Sequence, residues 1–204
     1  MARPKSFDEN AVLDAATECF RRRGLNAASI RDLAGEMGIA GPSLYNTFGC
    51  KRTLFVQALD RYVEGALRCR FAELEGRGPK AAIRAFVAEF MEQALGASEP
   101  GRCLLINTAM EVDPQDTELT AKVISYLGEI EAFLRRNLQR AVAAGEIPPE
   151  LDPEQTAAML LTALLGFSVL ARLRPDAARL ELMLPATLAL LDPPLNQSPR
   201  PSHD

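Results

Sequence analysis

The side chains best suited to chemistry in this sequence lie between Gly24 and Phe55, and they suit recognition by hydrogen bonding. Two short segments with helical periodicity meet there at Gly38, and the second keeps Leu44 and Phe48 on its apolar side. Its other side carries small polar groups and one phenol, at Gly41, Ser43, Tyr45, Asn46 and Thr47. A face of this kind fits the major groove and offers hydrogen bonds to phosphates and base edges. We therefore predict a DNA-recognition helix over about 41–47.

The rest of the composition argues against an enzyme. The single histidine, His203, lies near the end of the sequence, and no CxxC pair occurs among Cys19, Cys50, Cys69 and Cys103. Histidine triads and histidine-rich metal sites are thereby excluded. The alternative is a helical enzyme or carrier in which the front motif is coincidental. Against it, the sequence has no paired-carboxylate motif, no phosphate loop and no metal-ligand spacing. We expect no catalytic residue, no cofactor and no metal.

One cysteine has a second interpretation. Cys103 begins a predicted helix and follows Arg102, and both a helix N-terminus and a neighbouring cation lower a thiol pKa. A redox- or electrophile-sensing cysteine is therefore an alternative to a small buried apolar residue at this position.

Helical periodicity predicts an all-α fold throughout. Nine helices are expected, over about 7–23, 29–37, 41–47, 51–75, 80–95, 102–112, 116–144, 153–173 and 176–191. We expect a helix-turn-helix DNA-binding domain over 1–50, a ligand-binding and dimerisation domain over 51–191, and a disordered tail over 192–204. The helix over about 51–75 connects the two domains.

The charge is distributed unevenly between the two parts of the chain. Residues 1–55 hold 8 Lys+Arg against 6 Asp+Glu, whereas residues 56–204 hold 15 against 21. Nucleic-acid binding therefore belongs at the front. The first residues show no apolar signal core, and every long apolar run has polar interruptions, so we expect a cytoplasmic protein with no membrane partner.

The front segment resembles the DNA-binding domain of the TetR family, over roughly residues 7–60. That family's pattern is a glycine, a helix started by Thr or Ser, Ala-x-x-x-Gly-Val, Leu-Tyr-x-x-Phe and a lysine. The matching positions are Gly24, Ala28-Ser29, Ala34, Gly38-Ile39, Leu44-Tyr45, Phe48 and Lys51. Two departures stand out. Ala40 replaces the usual Ser or Thr cap of the recognition helix, and Asn46-Thr47 replaces a common His-His pair, so base preference cannot be carried over.

The resemblance implies a repressor that binds operator double-stranded DNA as a homodimer and is released by a small-molecule effector. It also implies roles for individual residues. Ser29 caps the second helix and touches phosphate, Arg31 reaches phosphate or a base, Tyr45 gives its hydroxyl to phosphate, and Lys51 clamps the backbone. The recognition helix opens at Gly41, Pro42 and Ser43. The alternatives stay open that Ser29 is only a cap, that Arg31 and Lys51 are solvated charges, and that Tyr45 is half-buried packing.

The predicted fifth to seventh helices supply a candidate effector cavity. Its polar members lie within one turn of each other in an apolar helix, where buried polar groups need partners. The candidate lining residues are Phe86, Phe90, Met91, Asn107, Thr108, Met110, Glu111, Tyr126, Phe133 and Phe167. The alternative for each is ordinary core packing.

The last two predicted helices carry more apolar surface than one core needs. The eighth, containing Leu164, is apolar almost all round, and the ninth adds leucines up to Leu188 and beyond. A helix of this kind needs cover on several sides. We expect the excess to form the dimer interface, which also agrees with the family's architecture.

Overall fold

In the computed structural model the chain folds into helices, and the structure describes residues 8–95, 103–173 and 177–192. Within these residues they are α1 (Glu9–Ala27), α2 (Ile30–Met37), α3 (Gly41–Phe48), α4 (Lys51–Val63, continued by the π-helical turn Glu64–Arg68 and by Cys69–Glu75), α5 (Pro79–Leu95), α6 (Leu104–Glu111), α7 (Thr117–Ala143), α8 (Pro153–Leu173) and α9 (Ala177–Leu188, followed by the 3-10 turn Ala189–Leu191). The expected all-α fold of nine helices is confirmed for this part of the chain. Of the tail expected over 192–204, all but Asp192 lies outside the described residues.

The first two helices begin and end where the local chemistry requires. Gly24 takes φ 80° and ψ 172° inside the range of α1 and ends its regular part. A capping box between Ser29 and Asp32 starts α2, satisfying amides that have no partner inside the helix. Gly38 stops α2 in the left-handed conformation, with φ 64°, which glycine adopts without a steric penalty.

The third helix starts without a side-chain cap. Ala40 is its N-cap residue and makes no side-chain capping hydrogen bond. Pro42 lies in the first turn, where its missing amide hydrogen costs nothing. Leu44 and Phe48 are buried, and they hold α3 against the rest of the front domain.

The connecting helix α4 differs from the sequence prediction in its middle. The prediction was one α-helix over about 51–75, but Glu64–Arg68 forms a π-helical turn. The first segment packs on α1 through apolar side chains, and the Phe20 and Phe55 rings meet edge to face at 4.9 Å. The π turn rotates the register of the second segment relative to the first, since it adds a residue to the turn.

The C-terminal domain is a bundle of α5, α7 and α8, with α9 packed on α5 and α8. An aromatic cluster joins the far end of α4 to this bundle. Phe71 stacks on Phe133 at 4.3 Å between ring centroids, and Phe86 meets both rings edge-on. The two domains therefore share one continuous hydrophobic core.

Within the described residues, one helix is long and apolar enough by composition alone to cross a membrane. It is α8, whose mean hydropathy reaches 1.8. In the fold α8 packs against α5, α7 and α9, so one side of it is part of the core.

Candidate nucleic-acid interface and ligand cavities

The outer face of α3 carries the side chains predicted to meet DNA. Tyr45 is 50% exposed, and Pro42 and Asn46 are also exposed, whereas Leu44 on the opposite side is fully buried. The remaining predicted residues, Gly41, Ser43 and Thr47, are partly exposed. The face holds no charged side chain, so its hydrogen-bonding groups are hydroxyls and one amide.

Ser29 is engaged in the cap of α2. Its hydroxyl donates to Asp32 Oδ2 at 2.6 Å and accepts from the Asp32 amide at 3.1 Å, and its own amide donates to the same carboxylate. These hydrogen bonds from Ser29 hold the pKa of Asp32 below its usual value. A phosphate contact through Ser29 would have to replace or share one of these bonds. Arg31, two residues further on, is exposed on α2.

Lys51 has a structural role that the sequence did not indicate. Its Nζ donates to the carbonyl of Ala28 at 3.0 Å and to that of Asn26 at 3.4 Å. The lysine thus ties the start of α4 to the segment that leads into α2. An ammonium carries three N–H donors, so the predicted phosphate contact can coexist with these two bonds.

The consecutive arginines at the end of α1 are engaged with carboxylates of α1 and α2. Arg21 forms a two-bond ion pair with Glu18, Arg22 pairs with Glu36, and Arg23 lies 3.5 Å from a carboxylate oxygen of Asp32. All three line a cavity between α1, α6 and α8. They belong to the junction of the two domains.

One cavity in the described part of the chain lies between α1, α4, α5 and the start of α6, and we call it the apolar cavity. It has a volume of about 250 Å³. Phe86 and Phe90 from the predicted set line it, and Cys103 lies in its wall. The other lining residues were not predicted: Arg21, Tyr62, Ala66, Leu67, Arg70, Glu89, Gln93 and Ala94. Ala66 and Leu67 come from the π turn, for which the sequence gives no signal.

The second cavity, also of about 250 Å³, is polar, and we call it the arginine cavity. Asn107 and Glu111 from the predicted set line it, with Arg172 of α8 opposite. Arg172 donates to Asn107 Oδ1 at 3.1 Å and lies 3.8 Å from Glu111 Oε1. The rest of the wall is Arg21, Arg22, Arg23 and Gly24.

The other predicted lining residues lie outside the walls of both cavities. The Thr108 hydroxyl donates to the Leu104 carbonyl at 2.7 Å, which is the ordinary way for a helix to satisfy a buried threonine. The Tyr126 hydroxyl donates to Asp60 Oδ1 between α4 and α7, with the tyrosine itself buried, and Met110 is 45% exposed. The last three are buried core residues, Met91, Phe133 and Phe167.

The predicted effect on the Cys103 thiol is wrong in direction. Burial raises the pKa of Cys103 and outweighs the opposing hydrogen bonds from the first amides of α6. The Tyr62 hydroxyl donates to Cys103 Sγ at 3.6 Å, and burial raises the pKa of Tyr62 as well. Arg102, which was expected to lower the thiol pKa, lies outside the described residues. The exposed Cys50 shows the lowered pKa instead, because its thiol is hydrogen-bonded to Thr53.

Comparison with known proteins agrees with this architecture. Residues 12–58 match the profile of bacterial regulatory proteins of the tetR family, and residues 79–187 match the tetracyclin repressor-like C-terminal domain. The chain is 34% identical over 194 residues to YezE of Bacillus subtilis, an uncharacterised HTH-type transcriptional regulator, covering 94% of this chain and 100% of that protein. It is 31% identical over 184 residues to the repressor ComR of Escherichia coli, covering 89% and 86% of the two chains.

Solved structures give the same result. A cysteine-substituted CifR, a TetR family regulator bound to 26-base-pair operator DNA, superposes with a TM-score of 0.80 at 29% identity, covering 92% of this chain and 98% of that one. A TetR regulator from Chloroflexus aurantiacus superposes with a TM-score of 0.79 at 28% identity, covering 90% and 93%. These relatives regulate transcription by binding DNA and are not enzymes. With both halves of the chain matched, this protein belongs to the TetR family of transcriptional regulators.

Proposed function

We propose that this chain is a homodimeric repressor that acts in the cytoplasm and leaves its operator when a small molecule occupies the apolar cavity. The proposal of DNA recognition is supported mainly by the outer face of α3. It exposes Tyr45 and Asn46 on a helix whose inner side is locked into the core by Leu44 and Phe48. A rigid helix with small hydrogen-bonding groups is what direct readout in the major groove requires.

Operator binding is tested by mobility shift on the DNA upstream of the protein's own gene. Asn46→Ala should relax sequence preference, with a loss of about 1–3 kcal/mol on the preferred site if the amide contacts a base. Tyr45→Phe should weaken all sequences alike, because a phosphate contact positions the domain without reading sequence. If neither variant changes binding, α3 is not the recognition helix.

A phosphate contact is best tested by mutating a positively charged residue that does not also stabilise the fold. Lys51 is unsuitable because its bonds to the Ala28 and Asn26 carbonyls also support the fold. Arg31→Ala should reduce the slope of affinity against salt concentration by about one unit. Arg77→Ala removes the same charge from an exposed site after α4 and should leave the slope unchanged.

Dimerisation is supported by the exposed side of α8 and α9. Met159 is 53% exposed, Leu170 39%, Leu173 71% and Leu182 74%, which is unusual for large apolar side chains. Two recognition helices on a symmetric dimer would then meet successive major grooves roughly 34–36 Å apart. Leu164, proposed from the sequence as an interface residue, is buried within its own chain instead.

The interface is tested by sedimentation equilibrium. Leu170→Glu and Leu182→Glu should each give monomers, since a charge placed in an apolar contact is strongly unfavourable. Ile124→Glu is the matched control, because Ile124 is a large apolar side chain, 64% exposed, on α7. A control that dissociates while both test variants remain dimeric would place the interface on α7.

Release by an effector is supported by the position of the apolar cavity. Its wall includes Arg21 of α1, so an occupant touches the DNA-binding domain directly. A coupling free energy of roughly 1–3 kcal/mol would change operator affinity about 5- to 150-fold, and operator must weaken effector binding by the same factor. Calorimetric titration of a releasing compound with and without operator measures both sides of this linkage.

A second candidate keeps the same site but makes the effector covalent. Cys103 Sγ lies in the wall of the apolar cavity, within reach of an occupant. A compound with an activated carbon–carbon double bond would form a bond between Sγ and its β-carbon, and the thiol proton would pass to the α-carbon. The raised pKa of Cys103 makes this addition slow for a ligand that is not held in the cavity. Cys103→Ser abolishes release by this route and leaves equilibrium release intact.

A further inference from the structure

The two cavities are neighbours that share a wall. Arg21 lines both of them, so its side chain stands where they meet. One face of α6 also runs along both, because Cys103 lines the apolar cavity, and Asn107 and Glu111, four and eight residues later, line the arginine cavity. Residues four apart lie on the same side of a helix. The cavities therefore form two chambers along a single helix face.

The two chambers differ sharply in chemistry. The apolar cavity has the rings of Phe86 and Phe90 and the side chain of Leu67 in its wall, and its charged residues Arg70 and Glu89 are paired with each other. The arginine cavity brings together four guanidinium groups and one carboxylate, that of Glu111. Each volume of about 250 Å³ is below the range of about 300–1,000 Å³ typical of small-molecule sites, whereas the two together fall within it.

We propose that the effector is an apolar anion, with a hydrocarbon or aromatic body in the apolar cavity and one oxyanion head group in the arginine cavity. This inference rests on the effector-release function proposed above and specifies its ligand. Guanidinium groups are the preferred partners of carboxylate and phosphate because their N–H donors match the oxyanion geometry. A neutral group would form weaker hydrogen bonds with these guanidinium groups than an oxyanion does.

The arginines already have acidic neighbours, and these define what the head group must displace. Arg21, Arg22 and Arg23 are paired with carboxylates of their own domain, on α1 and α2. The contact on the opposite wall, between two helices of the C-terminal domain, is different. Arg172 is 3.8 Å from Glu111, which is longer than a hydrogen bond, and its NH1 is held by Asn107. The Glu111–Arg172 pair is the loosest of these contacts, and the head group competes with Glu111 for Arg172.

Displacing Glu111 has a direct consequence for the DNA-binding domain. The Glu111 carboxylate lies against Gly24 at the end of α1, so closely that a Cβ on Gly24 would be 2.5 Å from Glu111 Oε2. A head group that pushes Glu111 off Arg172 therefore changes the contact between α6 and α1. This contact is the step by which occupancy of the arginine cavity alters the position of the DNA-binding domain.

The ligand class is tested with three probes that share one body. Isothermal titration of the full-length protein compares 4-phenylbutyrate, 4-phenyl-1-butanol and 4-phenylbutylamine, which differ only in carrying an anion, a neutral group or a cation. We expect the acid to bind about tenfold or more tightly than the alcohol, and the amine to bind more weakly than both. An alcohol that binds as tightly as the acid, or an acid that does not bind, overturns the proposal.

Two variants must act in opposite directions. Arg172→Gln should weaken the acid about tenfold, because it removes a partner of the head group, and should leave the alcohol unchanged. Glu111→Gln should strengthen the acid several-fold by removing its competitor. Arg77→Gln is the control for loss of one positive charge and should change neither. Weaker binding of the acid to Glu111→Gln would contradict the competition.

Mobility shifts separate this inference from the function on which it rests. Operator release by the alcohol and the acid alike would overturn the apolar-anion class while supporting release by an effector. If the acid binds but does not release the operator, the apolar-anion class is supported and the proposed coupling through Glu111 to the DNA-binding domain is overturned. A chain that binds none of its upstream DNA would overturn the proposed repressor function itself, with the titrations still deciding the ligand class.

Discussion

The front of the molecule and its C-terminal domain are packed differently, although they share α4. On the front, α1 and the first segment of α4 meet through buried apolar side chains, with Phe20 and Phe55 fully enclosed. Further along, α4 borders the apolar cavity, and it meets α7 through ion pairs as well as through the stack of Phe71 on Phe133. Because the front domain is tightly packed, it moves as one rigid body when α4 is displaced. The C-terminal domain contains the apolar cavity, so a ligand bound there can change the packing of this domain.

The ion pairs between α4 and α7 recur about every two turns of α4. Their members are partly or fully exposed, and they join two helices that have few close backbone contacts. The pairs are Arg52 with Asp116 and Glu118, Asp60 with Lys122, Arg68 with Glu129, and Glu75 with Arg136. Pairs this exposed contribute little each to stability, so α4 can exchange them at small cost when it moves.

The largest effect is expected from truncating one aromatic ring in each region, the tightly packed front domain and the wall of the apolar cavity. Phe55→Ala should lower the free energy of unfolding by about 3–5 kcal/mol, because a fully buried ring in a closed core leaves a cavity. Phe90→Ala should cost clearly less, since Phe90 is only partly buried and already faces an open cavity. Urea unfolding followed by circular dichroism measures both. Equal losses would mean that the two regions are packed alike.

Gly24 tests the junction between the regions. Gly24→Ala should cost about 1–3 kcal/mol, because alanine strains at φ 80° and its Cβ would meet the Glu111 carboxylate. Glu111→Ala removes the second cause and leaves the first. In the double variant we therefore expect recovery of about 1 kcal/mol relative to additivity. Strict additivity in the double-mutant cycle would show that Glu111 does not press on Gly24.

The same division explains what the sequence predicted well. Helix boundaries near Gly24, Gly38 and Pro153 followed from local chemistry, because glycine and proline act on their own backbone. The exposed face of α3 followed from its period, since Leu44 and Phe48 fix which side is buried. These features depend on residues close together in the chain.

The cavities were harder to predict because they depend on residues far apart in the chain. Arg21, Tyr62 and Arg172 meet only in the folded protein, and nothing near them in sequence marks the meeting. Phe133 resembled Phe86 in the helical pattern, yet one is fully buried core and the other lines the apolar cavity. The thiol pKa of Cys103 was misjudged for the same reason: burial, a property of the whole fold, outweighed the local helix terminus.

The smallest expected effect concerns the first ion pair between α4 and α7, and it appears as a dependence on pH. Hydrogen bonds from Arg52 lower the pKa of Asp116 to about 2, from 3.8. A carboxyl whose pKa is lower in the folded state stabilises the fold above its unfolded pKa and loses that contribution as pH falls through the folded value. The contribution of Asp116 should therefore be complete above about pH 4 and disappear between about pH 4 and pH 2.

Asp116→Asn isolates this contribution, because asparagine also caps helices well and Asp116 accepts the Leu119 amide at the start of α7. The difference in unfolding free energy between the original protein and the variant should be constant above about pH 4 and shrink towards pH 2. Urea unfolding at a series of pH values measures it, with Asp113→Asn as the control for the same substitution in the turn before α7. A difference that stays constant down to pH 2 would mean that the Arg52–Asp116 pair does not act in the folded protein. Arg52 would then be held to α7 by its contact with Glu118, a side chain that is 74% exposed.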